Sequence, residues 1–405
     1  MDLSYPEKYK AFRQEVIDFL KQNANLAPTA DFRLHRPDQK WLDWQALLIE
    51  KGYTARTVPK QYGGYGAEPD ILAESILTEE FSRAGVSQGL DNQGTSMLVP
   101  TLLEVGTEAQ RQQWVPGTIR GEIIWAQGYS EPSAGSDLAS LKTHARVEDG
   151  HFIINGQKIW TSSAQFADMI FILVRTEPDA PKHKGISYLL MPMDLPGIDI
   201  RPLVTMTGDA TFNEVFLTDV KLPVDQIVGK RGDGWQVANV TLKYERGKLG
   251  NPREAQQRFE RLVDLMQQET INGTPLMENA VLRDRLLRLQ GRILAMTYNG
   301  QRVLSSDLKG ENPGLAGMLI KLNGTWLNHE LAGLAIDVLG ELGILYDNSP
   351  YENEGDWQRK YMFDLGLMIG GGSTQIQKNI IAERALGMPK EPKYAPGDFP
   401  IGGGN

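Results

Sequence analysis

Apolar positions change their period twice along the chain, and the two changes divide it into three zones. From the start to about residue 122 the spacing is helical. Phe12, Val16, Phe19 and Leu20 share one face, and Trp41, Leu42, Trp44, Leu47 and Leu48 form a second after Pro37. Asp70 precedes Ile71, Leu72, Ile76 and Leu77, which predicts a capped third helix. Between the second and third lies Val58-Pro59-Lys60-Gln61-Tyr62-Gly63-Gly64-Tyr65-Gly66, a loop by its Pro and Gly content.

From about 123 to 235 the period shortens. Asp149-Gly150 and Asn155-Gly156 are hairpin-turn signals. They separate three short strand-like runs, Thr143–Glu148, His151–Ile154 and Gln157–Thr161. Met169–Val174 predicts a buried strand, and Ile186–Met193 and Glu214–Val220 predict two more. The zone is expected to be a small all-β barrel or sandwich. From about 236 to 388 helical spacing returns. Leu282, Leu286, Leu289, Ile293 and Met296 make an a/d seam, and Leu315, Leu319, Leu322, Trp326, Leu331, Leu334 and Val338 continue it. Asn312-Pro313-Gly314 breaks the two helices, and residues 389–405 form a Pro/Gly-rich tail. The expected class is α+β, mostly α: a helical domain (1–122), a β domain (123–235), a C-terminal four-helix bundle (236–388) and the tail.

Composition narrows the function. The 405 residues are 41% apolar and 23% charged, enough for several cores without covalent staples. Cysteine is absent, which removes disulfides, thiol nucleophiles and thiolate metal sites. The net charge of -9 and pI of about 5.3 argue against nucleic acid and anionic membrane surfaces as partners. No apolar run approaches the roughly 18 residues of a membrane span. Residues 1–10 lack a signal-peptide core, so a cytoplasmic location is expected. The five histidines have no metal-ligand spacing, so no metal site is expected.

Four segments carry candidate chemistry. Trp125-Ala126-Gln127-Gly128-Tyr129-Ser130-Glu131-Pro132-Ser133-Ala134-Gly135-Ser136-Asp137 concentrates hydroxyls, glycines and loop amides, which suit ring carbonyls and phosphate oxygens. It also reads as a plain connector. In Lys158-Ile159-Trp160-Thr161-Ser162-Ser163, Trp160 is either a core anchor or the wall of a planar cofactor, with Ser162 supplying a hydrogen bond. In Leu242-Lys243-Tyr244-Glu245-Arg246-Gly247 the Glu-Arg pair reads as a dipole-compensating charge at a helix start, or as a functional acid. Gly370-Gly371-Gly372-Ser373-Thr374-Gln375 before a helical pattern is a helix–helix turn, or a set of amides offered to an anion or carbonyl.

In this order the four segments resemble the acyl-CoA dehydrogenase family over essentially the whole chain. The resemblance also rests on Gly106-Thr107-Glu108-Ala109-Gln110 with Trp114-Val115-Pro116, on Asp219-Val220 with Pro223-Val224, on Gly232-Asp233-Gly234-Trp235, and on Ile380-Ile381-Ala382-Glu383-Arg384. It implies helices, then a β domain, then a four-helix bundle. It also implies FAD held between the β domain and the bundle, usually across a subunit interface. The implied reaction removes an α-proton from an acyl-CoA thioester while the β-hydrogen leaves as hydride, giving the 2-enoyl-CoA. Electrons pass to an electron-transfer flavoprotein. By position, Gln127, Tyr129, Ser130, Trp160, Ser162, Ser373 and Gln375 would bind the cofactor. Ser136, Arg246 and Gly371 would meet the substrate.

The resemblance departs from the common pattern at the base. Many members carry the catalytic Glu in a Tyr-Glu-Gly-Thr loop, where this chain has Gly371. A second branch carries it in a Glu-Arg pair opening the C-terminal domain, which Glu245-Arg246 matches; the resemblance therefore assigns the base to Glu245. The glycine loop resembles bacterial members acting on branched, cyclic or steroid side-chain acyl-CoAs. Two further departures touch the cofactor. An Arg-x-x-Phe-Gly segment is replaced by Gln268-Glu269-Thr270-Ile271-Asn272-Gly273, and a Gln-x-x-Gly-Gly run by Asp337-Val338-Leu339-Gly340-Glu341. Acids beside a pyrophosphate are unfavourable. Three assemblies or activities stay open: a homotetrameric dehydrogenase, a non-catalytic subunit of a heterotetramer, and a flavin oxidase or monooxygenase on the same fold.

Overall fold

The computed structural model describes residues 6–29, 35–246, 250–311, 313–346 and 355–390; the side chains of Glu245, Arg246 and Asp307 lie outside that set. The chain divides into two units, Met1–Lys248 and Leu249–Asn405.

Among the described residues the first unit opens with five α-helices: α1 (Glu7–Asn23), α2 (Gln39–Lys51), α3 (Ile71–Arg83), α4 (Val99–Val105) and α5 (Glu108–Arg120). The expected faces are buried: Val16, Phe19, Leu20, Trp41, Trp44, Leu48 and Leu77 share one core. Asp70 caps α3 as its position predicts, its Oδ1 accepting from the Ala73 amide at 3.1 Å.

Strands β1 (Trp125–Gly128), β2 (His144–Glu148), β3 (His151–Lys158), β4 (Met169–Arg175), β5 (Ile186–Pro192), β6 (Ile198–Leu203), β7 (Phe212–Pro223) and β8 (Ile227–Val228) form one sheet. Its order is β6-β7-β3-β2-β4-β5-β8, with β1 paired parallel to β4. Strands β4 and β5 are buried on both faces. Phe171, Leu173, Tyr188 and Leu190 face a core shared with the helices, while Ile170, Ile172, Leu189 and Met191 join Phe152, Val215 and Leu217. Double burial explains why Met169–Val174 is an unbroken apolar run.

Two local expectations need correction. Asp149-Gly150 is the hairpin turn expected, with φ of +46° and +73° and Glu148 paired to His151. Asn155-Gly156 is not a turn. β3 runs straight through it, with a register slip between Ile154 and Gly156. Gly156 sits at φ +150°, and a Cβ there would stand 2.6 Å from the Thr143 Cα. The glycine serves a bulge and a close backbone approach, which carry the same dipeptide signature as a turn. The second correction concerns the 125–137 segment: its first four residues are strand β1, not loop.

Helix α6 (Gly234–Arg246) buries Val237 and Ala238 in the core of the first unit. The return of helical period at 236 therefore precedes the start of the second unit. That unit holds α7 (Pro252–Gln268), a short hairpin of β9 (Thr270–Ile271) and β10 (Thr274–Pro275), then α8 (Ala280–Leu308), α9 (Leu315–Leu339), α10 (Asp356–Leu367) and α11 (Thr374–Ile380). Leu286, Leu289, Ile293 and Met296 of the expected seam pack on Leu331, Leu334 and Val338. Trp326, expected on the same face, is instead 41% exposed. The tail beyond 390 lies outside the described residues.

Candidate active site

β1 delivers Gln127, half-buried, and then the loop carrying Ser130 and Ser136. A buried ion pair organises that loop. The Lys158 Nζ, at the end of β3 and 0% exposed, donates to Glu131 Oε1 at 2.8 Å and to the Tyr129 carbonyl at 3.2 Å. Glu131 also accepts from the Thr143 amide at 2.9 Å and the Lys142 amide at 2.6 Å. Burial pushes the Glu131 carboxyl up, but Lys158 and the donors around it outweigh burial, so the carboxyl ends below its ordinary range. Burial pulls the Lys158 ammonium down to about 8, against the opposing pull of Glu131. Both groups are ionised at neutral pH.

The Ser130 carbonyl accepts from the Ile159 amide at 2.9 Å. Among the described residues the Ser130 amide donates to nothing, and its side chain is half-buried. The ring of Tyr129, expected to line a flavin, turns the other way. It is buried edge-on against Phe171 (5.9 Å) and Tyr188 (6.3 Å). Tyr129 follows β1 directly, and its carbonyl also points inward, to the buried Lys158 ammonium. Ser136 is exposed.

Trp160 is not a core anchor. Its side chain is 57% exposed, and its backbone has φ +59°. A left-handed conformation is a genuine outlier for so bulky a residue, and such strain collects at functional sites. The chain is pinned on both sides of it: Ile159 N–H to Ser130, and Thr161 N–H to the Asn213 carbonyl at 3.0 Å, with Asn213 Nδ2 returning to the Thr161 carbonyl at 2.9 Å. The indole meets Phe212 edge-to-face at 5.8 Å and leaves a flat face open. Beside it, the buried Thr161 Oγ1 has no hydrogen-bond partner among the described residues, and Ser162 is half-buried. The exposed indole and the unused Thr161 hydroxyl at the end of β3, with the free Ser130 amide of the loop bonded to that strand end, fit a planar group bearing ring nitrogen and carbonyl acceptors.

The second unit supplies the glycine loop. Gly371 and Gly372 have φ of +64° and +94°. The loop's carbonyls are turned inward. Lys321 of α9, buried, donates to the Gly372 carbonyl at 2.6 Å and the Met368 carbonyl at 3.4 Å, and Gln377 Nε2 donates to the Gly371 carbonyl at 3.1 Å. Among the described residues the amides of Gly371, Gly372 and Ser373 donate to nothing. The Ser373 side chain is committed elsewhere: its Oγ accepts from the Ile376 amide at 3.3 Å and caps α11. Gln375 is exposed.

Glu245 and Arg246 do not open a helix; they occupy the last turn of α6. There the macrodipole is negative, so an acid is not the charge-compensating residue it would be at a helix start. The neighbouring Tyr244 hydroxyl donates to Glu104 Oε2 of α4 at 3.0 Å and ties this turn to the unit. Elsewhere, a groove of about 850 Å³ on the bundle is lined by Arg285, Arg292, His329, Asp337 and Tyr361. Its charges pair with one another, Asp337 with Arg285 at 2.6 Å among them, and His329 stacks on Tyr361 at 4.2 Å. The segment in place of Arg-x-x-Phe-Gly is the β9–β10 hairpin, turning at Asn272-Gly273.

The roles of Lys158 with Glu131, and of Lys321 with Gln377, escape the sequence reading. The available signal was a lysine at an inward strand position and another in a helix stripe shared with Thr325 and Asn328, all buried. Among the described residues no group of His, Asp and Glu could hold a metal ion, and no helix is long and apolar enough to cross a membrane.

Comparison with known proteins accounts for this layout. Residues 6–122 match the model of the acyl-CoA dehydrogenase N-terminal domain, 126–220 that of the middle domain, and 232–386 that of the C-terminal domain. The chain is 38% identical over 363 residues to the acyl-CoA dehydrogenase IpdE1 of Mycobacterium tuberculosis, across 89% of this chain and 91% of that protein. Among solved structures, a chain of the ChsE4-ChsE5 complex from Mycobacterium tuberculosis is 30% identical, with a TM-score of 0.81 over 96% of this chain and 100% of the other. A chain of the Tcur3481-Tcur3483 steroid ACAD is 28% identical, with a TM-score of 0.82 over the same shares. The chain belongs to the acyl-CoA dehydrogenase family, flavin-dependent oxidoreductases acting on CH–CH bonds.

Proposed function

We propose that the chain binds FAD and dehydrogenates an acyl-CoA thioester at its α and β carbons. The observation that carries this reading is the strained, exposed Trp160 beside the free Ser130 amide and the unused Thr161 hydroxyl. FAD, when bound, supplies the hydride acceptor. Trp160 would pack on its ring system, and Ser130, Ser162 and the Gln127 side chain would offer it hydrogen bonds. By the family resemblance, Ser373, through its amide, and the exposed Gln375 are the second unit's own cofactor-binding groups. The Gly371 amide polarises the thioester carbonyl, which makes the α-proton acidic enough to leave. Glu245 accepts that proton, and a positioned carboxylate contributes on the order of 10²–10⁴ in rate. Arg246 and Ser136 assist the CoA ester.

The acyl group we assign is bulky, branched or cyclic. The glycine loop brings no side chain to the thioester, and one structural relative is described as a steroid ACAD. Reduced enzyme passes electrons to an electron-transfer flavoprotein in the cytoplasm. Anaerobic bleaching by a panel of straight, branched, alicyclic and steroid acyl-CoAs tests the assignment; bleaching by short straight chains alone would reject it.

A homotetramer is the first expectation for assembly. A heteromeric one has specific support: the Asp337–Arg285 pair and the β9–β10 hairpin stand where other members place cofactor-binding groups, and one relative is the ChsE4-ChsE5 complex. Light scattering of the protein expressed alone separates the two.

A further inference from the structure

The Glu131–Lys158 pair has no part in proton or hydride transfer, yet it is the most completely buried ion pair of the β domain. Its position explains what it does. The Tyr129 carbonyl and the Ser130 amide belong to one peptide unit. Lys158 donates to the carbonyl end at 3.2 Å. The amide end donates to nothing among the described residues. A cation hydrogen-bonded to one end of a peptide strengthens the donor at the other end, and the effect is larger away from water. We propose that the Lys158 ammonium, anchored by Glu131, is a positioning and tuning residue that sharpens the Ser130 amide as a donor to the flavin pyrimidine. The inference rests on the FAD-binding reading above.

Three features support it. Lys158 has 0% exposure, so its charge is not screened by solvent. Glu131 is itself fixed by two backbone amides, so the ammonium is held in one place. The next two residues after Lys158 bond to Ser130 and form the strained Trp160 turn, so the same strand end fixes the donor and the aromatic wall. A reduced flavin carries more negative charge on its pyrimidine than an oxidised one. A sharpened donor there stabilises the reduced form and raises the potential.

The test measures the two-electron potential of the bound FAD in the purified holoenzyme. Lys158→Met with Glu131→Gln removes both charges together and leaves no buried ion unpaired. The expected result is a fall of about 30 mV, a tenfold change in the reduction equilibrium, together with loss of the downshift of the flavin carbonyl stretch in the infrared. An unchanged potential in a variant that melts like wild type would overturn the inference. Should the double variant fail to fold, Glu131→Gln alone decides. Without that counter-charge, burial drives the Lys158 ammonium to give up its proton, so the potential should fall as in the double variant; an unchanged or raised potential would overturn the inference. Wild-type protein that takes up no FAD would instead overturn the functional reading.

Discussion

At the scale of single residues the chain separates groups that stabilise from groups that are held against preference. Trp160 belongs to the second kind. Its left-handed backbone costs about 1–3 kcal/mol, and its indole is exposed. Trp160→Gly should therefore leave the flavin-free protein at or above wild-type melting temperature, while FAD affinity falls roughly five- to tenfold, the loss of an aromatic contact worth about 1 kcal/mol. Calorimetry and fluorescence titration would check the two halves. Glu131 gives a pH signature. Its folded-state carboxyl lies below its ordinary value of 4.5. The unfolded chain thus takes up the proton first on acidification, and the stability from this group is present above about 4.5 and lost as pH falls through the lower, folded value. Glu131→Gln should flatten the stability–pH curve in that acid window, as read by urea melts. The sequence named Trp160 and Ser130 because aromatic and hydroxyl residues announce themselves. It did not separate the two readings of Trp160, because exposure depends on β7 folding back beside β3. The inward turn of the Tyr129 ring was illegible for a similar reason: one step along an extended chain exchanges core for surface.

At the scale of elements, period was a reliable guide and punctuation a poorer one. The a/d seam of α8 and the cap of α3 follow from local spacing alone. Asn155-Gly156 carries the composition of a turn, but its role is decided by Thr143, which passes too close to Gly156 for a side chain. Gly156→Val should cost more than about 1 kcal/mol, since it meets both a disfavoured φ and a backbone collision. Asp70→Ala should cost about 1 kcal/mol through the lost cap. The end of α6 was legible as a candidate and not as a geometry. Sequence order placed Glu245-Arg246 where helical spacing resumes, but whether that helix belonged to the β domain or to the bundle depended on which core took Val237 and Ala238.

At the scale of the whole molecule, helical, β and helical zones correspond to three matched family domains, and the family sets the reaction class. Purified alone, the protein should be yellow, with one FAD per chain; a colourless protein that takes up no added FAD would favour a non-catalytic assembly subunit. The identity of the acyl group is the least legible property, since it depends on how the bundle's inner faces shape a pocket. The central claim is that Glu245 removes the α-proton while Trp160 and Ser130 hold the flavin. Glu245→Gln keeps size and hydrogen-bonding capacity but cannot take up a proton at neutral pH. The most direct measurement is anaerobic single-turnover bleaching of the flavin by a confirmed acyl-CoA substrate, in wild type and in Glu245→Gln. The account predicts rapid bleaching in wild type and a loss of at least about 10²-fold in the variant with FAD content unchanged. Bleaching of Glu245→Gln at the wild-type rate would contradict it.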